Sequence, residues 1–125
     1  MTPGPWLTVT SDPAPAVIDG RACRTRAAFF EEVARVLEFP SYFGRNWDAL
    51  TDSLRDSLRE AGAVTLVVAR GDELLSAEPP EALATLLAIF GRAASDGLSL
   101  TLCAAPGQAG PLRRRVAAAL DRPHR

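Results

Sequence analysis

Phe39-Pro40-Ser41-Tyr42-Phe43-Gly44-Arg45-Asn46-Trp47-Asp48-Ala49-Leu50-Thr51-Asp52-Ser53-Leu54 joins an aromatic turn to the acidic start of a helix. Pro40 closes whatever precedes it, because the residue before a proline is pushed out of the helical region. Gly44 lets the backbone turn tightly or approach a partner closely. Asn46 is a favoured N-cap for a helix that begins at Trp47 and runs to about Ala61, where Gly62 stops it. At about 100° per residue, Trp47, Leu50, Leu54 and Leu58 fall within one arc of that helix, while Asp48, Asp52, Asp56 and Arg59 fall on another. The first arc is core, with Trp47 a buried anchor, and the second faces outward. The segment reads as a binding edge, not a catalytic pocket.

Outward from this segment the chain alternates between short apolar runs and helical patterns. Ala16 to Ile18, Ala63 to Ala69 and Leu98 to Cys103 suit strands buried on both faces of a parallel sheet. Thr25 caps a helix in which Phe29, Phe30, Val33, Val36 and Leu37 recur at helical spacing. Asp72 to Ser76 suits a short helical turn, and Pro79-Pro80 opens a longer helix that reaches Gly97. The order is strand, two helices, strand, two helices, strand, and helical crossovers favour parallel strands. The expected fold is α/β, a three-stranded parallel sheet with about four helices over residues 15–104. Residues 1–14 form a Pro-rich extension in which Trp6 to Thr10 can add an edge strand. Residues 105–125 form a basic tail in which Pro111 to Leu120 can form a helix.

The length suits one domain with a real core. A formal net charge of −1 hides an asymmetry, since residues 1–111 hold 14 acidic side chains against 9 Arg, while the last stretch carries five Arg against Asp121. All basic residues are Arg. Nucleic-acid binding needs a basic stripe on the folded domain, and this domain is acidic, so the Arg113-Arg114-Arg115 triplet reads as a solvated or capping feature. No apolar run is long enough to span a membrane and the start lacks a secretory pattern, so the expected location is the cytosol. Cys23 and Cys103 fit reduced thiols there. Two Cys without nearby His form no metal site. The only His is His124, which leaves no nucleophile–His pairing for catalysis. The expectation is a protein without enzymatic activity or cofactor.

The pattern Phe-Pro-x-Tyr-Phe-Gly-x-Asn-x-Asp-Ala-Leu-x-Asp-x-Leu resembles the signature of the barstar family of intracellular ribonuclease inhibitors. Ala16-Val17-Ile18-Asp19-Gly20 resembles that family's first strand and turn, and Phe90 to Leu102 its last helix and strand. The resemblance implies a cytosolic protein, monomeric when free, that binds a small secreted ribonuclease 1:1 and contacts neither nucleic acid nor membrane. It also implies that Tyr42, Gly44, Asn46, Asp48, Thr51, Asp52 and Asp56 form the partner surface. Asp52 would enter the phosphate site, Asp48 would pair with a neighbouring cation, and Tyr42 would pack on an active-site His or base-binding wall. Gly44 and Asn46 would hold the loop. A ribonuclease gathers cations to stabilise phosphate oxygens, so a rigid carboxylate delivered there forms charge-assisted bonds.

Two positions depart from the family pattern: Thr51 stands where a second contacting tryptophan is expected, and Arg92 where a distal glutamate is expected. They favour a ribonuclease with a different rim. They also keep open an alternative, an interaction module of the same fold that inhibits no nuclease. On pattern alone the acids have a third account: Asp48 stabilises the helix dipole, while Asp52 and Asp56 pair with Arg55 and Arg59.

Overall fold

The computed structural model describes residues 5–12 and 14–122, so His124 and the first four residues of the N-terminal extension lie outside it. Four strands, β1 (Leu7–Thr10), β2 (Ile18–Asp19), β3 (Val64–Ala69) and β4 (Leu98–Cys103), form one sheet in the order β1-β4-β3-β2. Every neighbouring pair is parallel. The α/β class is as expected, but the sheet has four strands, not three. The added strand is Leu7–Thr10, aligned with β4 from Leu7 opposite Leu100 to Thr10 opposite Cys103. It joins because Leu7 and Val9 repeat every second residue and so bring Leu7 to the buried face beside Leu100. Trp6 adds an anchor against Gly91, where even a methyl group would meet its indole at 3.3 Å.

Helices α1 (Arg26–Val36), α2 (Trp47–Ala61), α3 (Pro80–Ala93) and α4 (Ala109–Asp121) accompany the sheet. Their ends follow local chemistry. The Thr25 hydroxyl accepts the Ala28 N–H at 3.2 Å, Asn46 Oδ1 accepts the Ala49 N–H at 2.8 Å, and Pro80 sits in the first turn of α3. Gly62, at φ 82°, closes α2 in a conformation that costs glycine nothing.

The expectation of strands buried on both faces is not met. Leu66, Val68, Leu98, Leu100 and Leu102 are buried, whereas Thr8 and Thr65 are exposed and Ser99 and Thr101 half-exposed on the opposite face. The cause lies in connectivity. From β2 through β3 to β4 the chain moves steadily across the sheet, and right-handed crossovers in one constant direction lay their helices on a single face. Core side chains such as Phe29, Phe90, Leu83, Leu86 and Leu87 fill the space between helices and sheet.

Strand β2, expected from Ala16, is only two residues long: Val17 is exposed and contributes just its N–H, donated to the Val67 carbonyl at 3.1 Å. Directly after it the backbone comes so close to β3 that a Cβ on Gly20 would lie 2.0 Å from the Arg70 carbonyl oxygen. Both cysteines are free and buried, as expected of reduced thiols. The Arg triplet of α4 serves the fold. Arg113 Nη2 donates to the Val9 carbonyl at 3.0 Å on the outer edge of β1, and Arg115 is half-buried.

Candidate functional site: the aromatic loop and the acidic crest of the second helix

The loop between α1 and α2 is a small aromatic knot. Phe43 is only 5% exposed and packs on Phe39 at 5.0 Å and edge-on to Phe30 at 6.2 Å between ring centroids. Its N–H donates to the Pro40 carbonyl at 3.0 Å, which closes the turn. With Phe43 turned in, Tyr42 is turned out and is 86% exposed.

The glycine acts here by close approach. A Cβ on Gly44 would meet the Ala49 methyl at 3.3 Å and Asn46 Nδ2 at 3.4 Å, so the bare backbone lets the loop lie against the first turn of α2. The left-handed residue is instead Arg45, at φ 51°. Its guanidinium donates to the Phe43 carbonyl at 3.2 Å and pairs with Glu31, contacts that offset the roughly 1–2 kcal/mol cost of that conformation. Asn46 works twice, since its Nδ2 also donates to the Gly44 carbonyl at 3.3 Å. Loop and helix start are therefore one rigid unit.

On that unit Asp48, Asp52 and Asp56 are exposed along the outer crest of α2, one turn apart, while Leu50, Leu54 and Leu58 are buried beneath. Asp52 is 74% exposed and Asp56 72%, each 3.5 Å from a guanidinium three residues on, Arg55 and Arg59 respectively. Pairs this long and this exposed contribute little and open readily to a competitor. Among the described residues no cation pairs with Asp48. Three carboxylates on a stiff helix, beside an outward tyrosine, make an anionic edge.

Against known proteins, the family model described as Barstar (barnase inhibitor) matches residues 14–104. The chain belongs to the barstar family. No individual curated protein and no solved structure matches it. Barstar-family proteins are inhibitors, not enzymes, and membership gives this chain a protein-interaction role of the ribonuclease-inhibitor type. The matched region leaves out β1 and α4, yet both are built into the sheet and core described above.

The seven residues singled out from the sequence do not all share one face in this barstar-family chain. Tyr42, Gly44, Asn46, Asp48, Asp52 and Asp56 are exposed on the loop and crest. Thr51 is half-buried, its hydroxyl donates to the Trp47 carbonyl at 3.0 Å, and it lines a groove toward α3 with Arg55 and Arg92. Trp47, expected to be buried, is half-buried, edge-on to Phe30 at 5.0 Å and 6.5 Å from Phe29, with its open side beside Arg26. It is the first residue of α2, and its ring contacts among the described residues are with α1 alone.

Sequence reasoning missed the other flank of α2. There a recess forms between the helix and residues 37–42, with Glu38 and Glu60 on its rim. The only sequence signal was the unexplained Glu38, left over between the α1 pattern and Phe39. Among the described residues no group of three or more His, Cys, Asp or Glu is placed to hold a metal ion, and no helix is long and apolar enough to cross a membrane.

Proposed function

We propose that this chain is a cytosolic antitoxin that blocks the cationic active site of a small secreted ribonuclease, one inhibitor to one enzyme. Asp52 takes the place of a substrate phosphate, Asp48 pairs with a neighbouring cation, and Tyr42 lies on the wall of the nucleotide site. Gly44 and Asn46 hold the loop in register with the helix, and Asp56 extends the acidic edge. The observation that carries this reading is the exposure of Asp48 and Asp52 on the crest of a rigid helix beside an outward Tyr42. A preorganised carboxylate binds such a cluster without ordering cost, and the helix N-terminus restrains Asp48 at no expense to the fold.

The test is titration of purified protein against a panel of small secreted ribonucleases, with Asp52→Ala alongside. A responsive enzyme should be inhibited stoichiometrically. Asp52→Ala should weaken inhibition by about 2–5 kcal/mol, a range set by truncations of buried charge pairs that include this family's own ribonuclease complexes. Equal inhibition by variant and parent, for every responsive enzyme, would remove Asp52 from its role.

A second reading, an interaction module that inhibits no nuclease, draws on the α3 flank, where Thr51 spends its hydroxyl internally and Arg55 and Arg92 place positive charge. Salt separates the two. A steered acidic inhibitor associates more slowly as ionic strength rises, whereas an apolar docking module is nearly indifferent.

A further inference from the structure

Two recesses flank α2, and their charges are opposite. The α3 side is bordered by Arg55 and Arg92 with one acid, Asp96, and so is net positive. The other side, a recess of about 300 Å³ between α2 and residues 37–42, gathers the carboxylates of Glu38, Asp56 and Glu60 against the single guanidinium of Arg59, with the ring of Tyr42 and the hydroxyls of Ser53 and Ser57. That volume is at the small end of ligand sites, enough for one long side chain.

Folding does not account for these acids. Glu38 holds φ 55° just past the end of α1, a place suited to glycine or asparagine. Glu60 lies in the last turn of α2. Both carboxylates therefore sit at helix C-termini, where the dipole disfavours negative charge. Neither has an ion-pair partner among the described residues, and only Asp56 is paired, loosely, with Arg59. Two helix carboxyl ends and three carboxylates, offset only by the Arg59 guanidinium, thus turn a concave surface of net negative charge toward solvent. The Tyr42 ring, with no hydrogen bond or ring contact among the described residues, borders it.

We propose that this recess receives an arginine side chain from the rim of the partner enzyme, its guanidinium stacked on Tyr42 and bonded to Glu38 and Glu60. The inference rests on the ribonuclease-inhibitor reading and fixes its docking polarity: the basic rim lies over the α1–α2 loop, and the less basic side faces Arg92. A planar guanidinium fits better than an ammonium, because it stacks on an aromatic face and forks to two carboxylates. This contact replaces, on the opposite flank, the apolar area given up at Thr51.

The probe is the capped tripeptide acetyl-Gly-Arg-Gly-amide, titrated into the isotope-labelled full chain by NMR, with the citrulline peptide as neutral control. Stacking and two exposed ion pairs together predict a dissociation constant on the order of 10 mM or weaker. Shifts should centre on Glu38, Tyr42, Ser57 and Glu60, and the citrulline peptide should produce none there. The double variant Glu38→Gln with Glu60→Gln, which keeps shape and removes charge, should bind the arginine peptide roughly tenfold more weakly. Equal shifts from both peptides, or shifts centred on Asp48 and Asp52 alone, would overturn the proposal. With any ribonuclease that the parent inhibits, the double variant should also inhibit less tightly, and unchanged inhibition would overturn it too. Asp52→Ala tests blockade of the enzyme and the peptide tests the recess without any enzyme, so either reading can fail alone.

Discussion

Tyr42 and Phe43 are neighbours facing opposite ways, and truncating each in turn separates the fold from the proposed function. Phe43 is 5% exposed, with Phe39 and Phe30 around it at 5.0 Å and 6.2 Å. Removing a ring from such a site typically costs about 3–5 kcal/mol through lost transfer energy and the cavity left behind. For a domain of this size each kcal/mol moves the melting temperature by about 4 °C, so Phe43→Ala should melt roughly 12–20 °C lower. Tyr42, 86% exposed, touches too little to matter for stability. Tyr42→Ala should stay within about 0.5 kcal/mol of the parent, roughly 2 °C. Thermal unfolding followed by circular dichroism reads both, and inhibition of a responsive ribonuclease well below the melting temperature reads the complement. Tyr42→Ala should lose inhibition at full stability. A Phe43→Ala protein melting within 3 °C of the parent would refute the view that this knot is what fixes the loop. A Tyr42→Ala protein that inhibited as well as the parent would refute the division of labour.

Gly20→Ala places a methyl group 2.0 Å from the Arg70 carbonyl oxygen, against backbone; the expected loss is about 3 kcal/mol in urea unfolding, the upper end for overpacking, and a loss under about 1 kcal/mol would disprove the close strand contact. Burial, with the Glu32 charge second, pushes the Cys23 thiol up to about 12. An unfolded thiol titrates near 8.5, so between roughly pH 9 and 12 the native state holds a proton that the unfolded state has lost, and stability falls as pH rises. Cys23→Ala should flatten that alkaline decline, and an equally steep decline in the variant would exclude the thiol as its source. Ending the chain after Gln108 removes α4, whose Leu112 and Val116 are each 2% exposed; burial of the two side chains is worth about 3–6 kcal/mol together, a large share of a typical domain's stability, so the truncated chain should melt far below the parent. A cooperative melt near that of the parent would show α4 to be dispensable.

The second helix was legible almost to the residue, because Asn46 and Gly62 punctuate it and its leucines recur at helical period. The outward direction of Asp48 and Asp52 came from the same periodicity. The edge strand was half-legible: Leu7 to Thr10 alternates, but four residues do not reveal that they pair with a strand some ninety positions on. The open face of the sheet was misread because Val, Leu and Thr suit a strand buried on one side or on two, and only the direction of the crossovers decides which. At the site, periodicity places Thr51 near the acids without saying that its hydroxyl turns back to Trp47. The positive φ of Arg45 and Glu38 was hidden, since neither residue type announces a left-handed backbone. That is why the recess, whose wall includes Glu38 in a conformation it has no propensity for, emerges only in three dimensions.

The pairing of Leu7–Thr10 with Leu98–Cys103 has a consequence in time. Synthesis runs from the amino end at about 5–20 residues per second, so the first strand made waits for the last, and β4 needs the neighbour it meets before the sheet is whole. Each new copy thus spends several seconds with the edge strand unpaired and the acidic crest of α2 already made but not yet backed by a complete sheet.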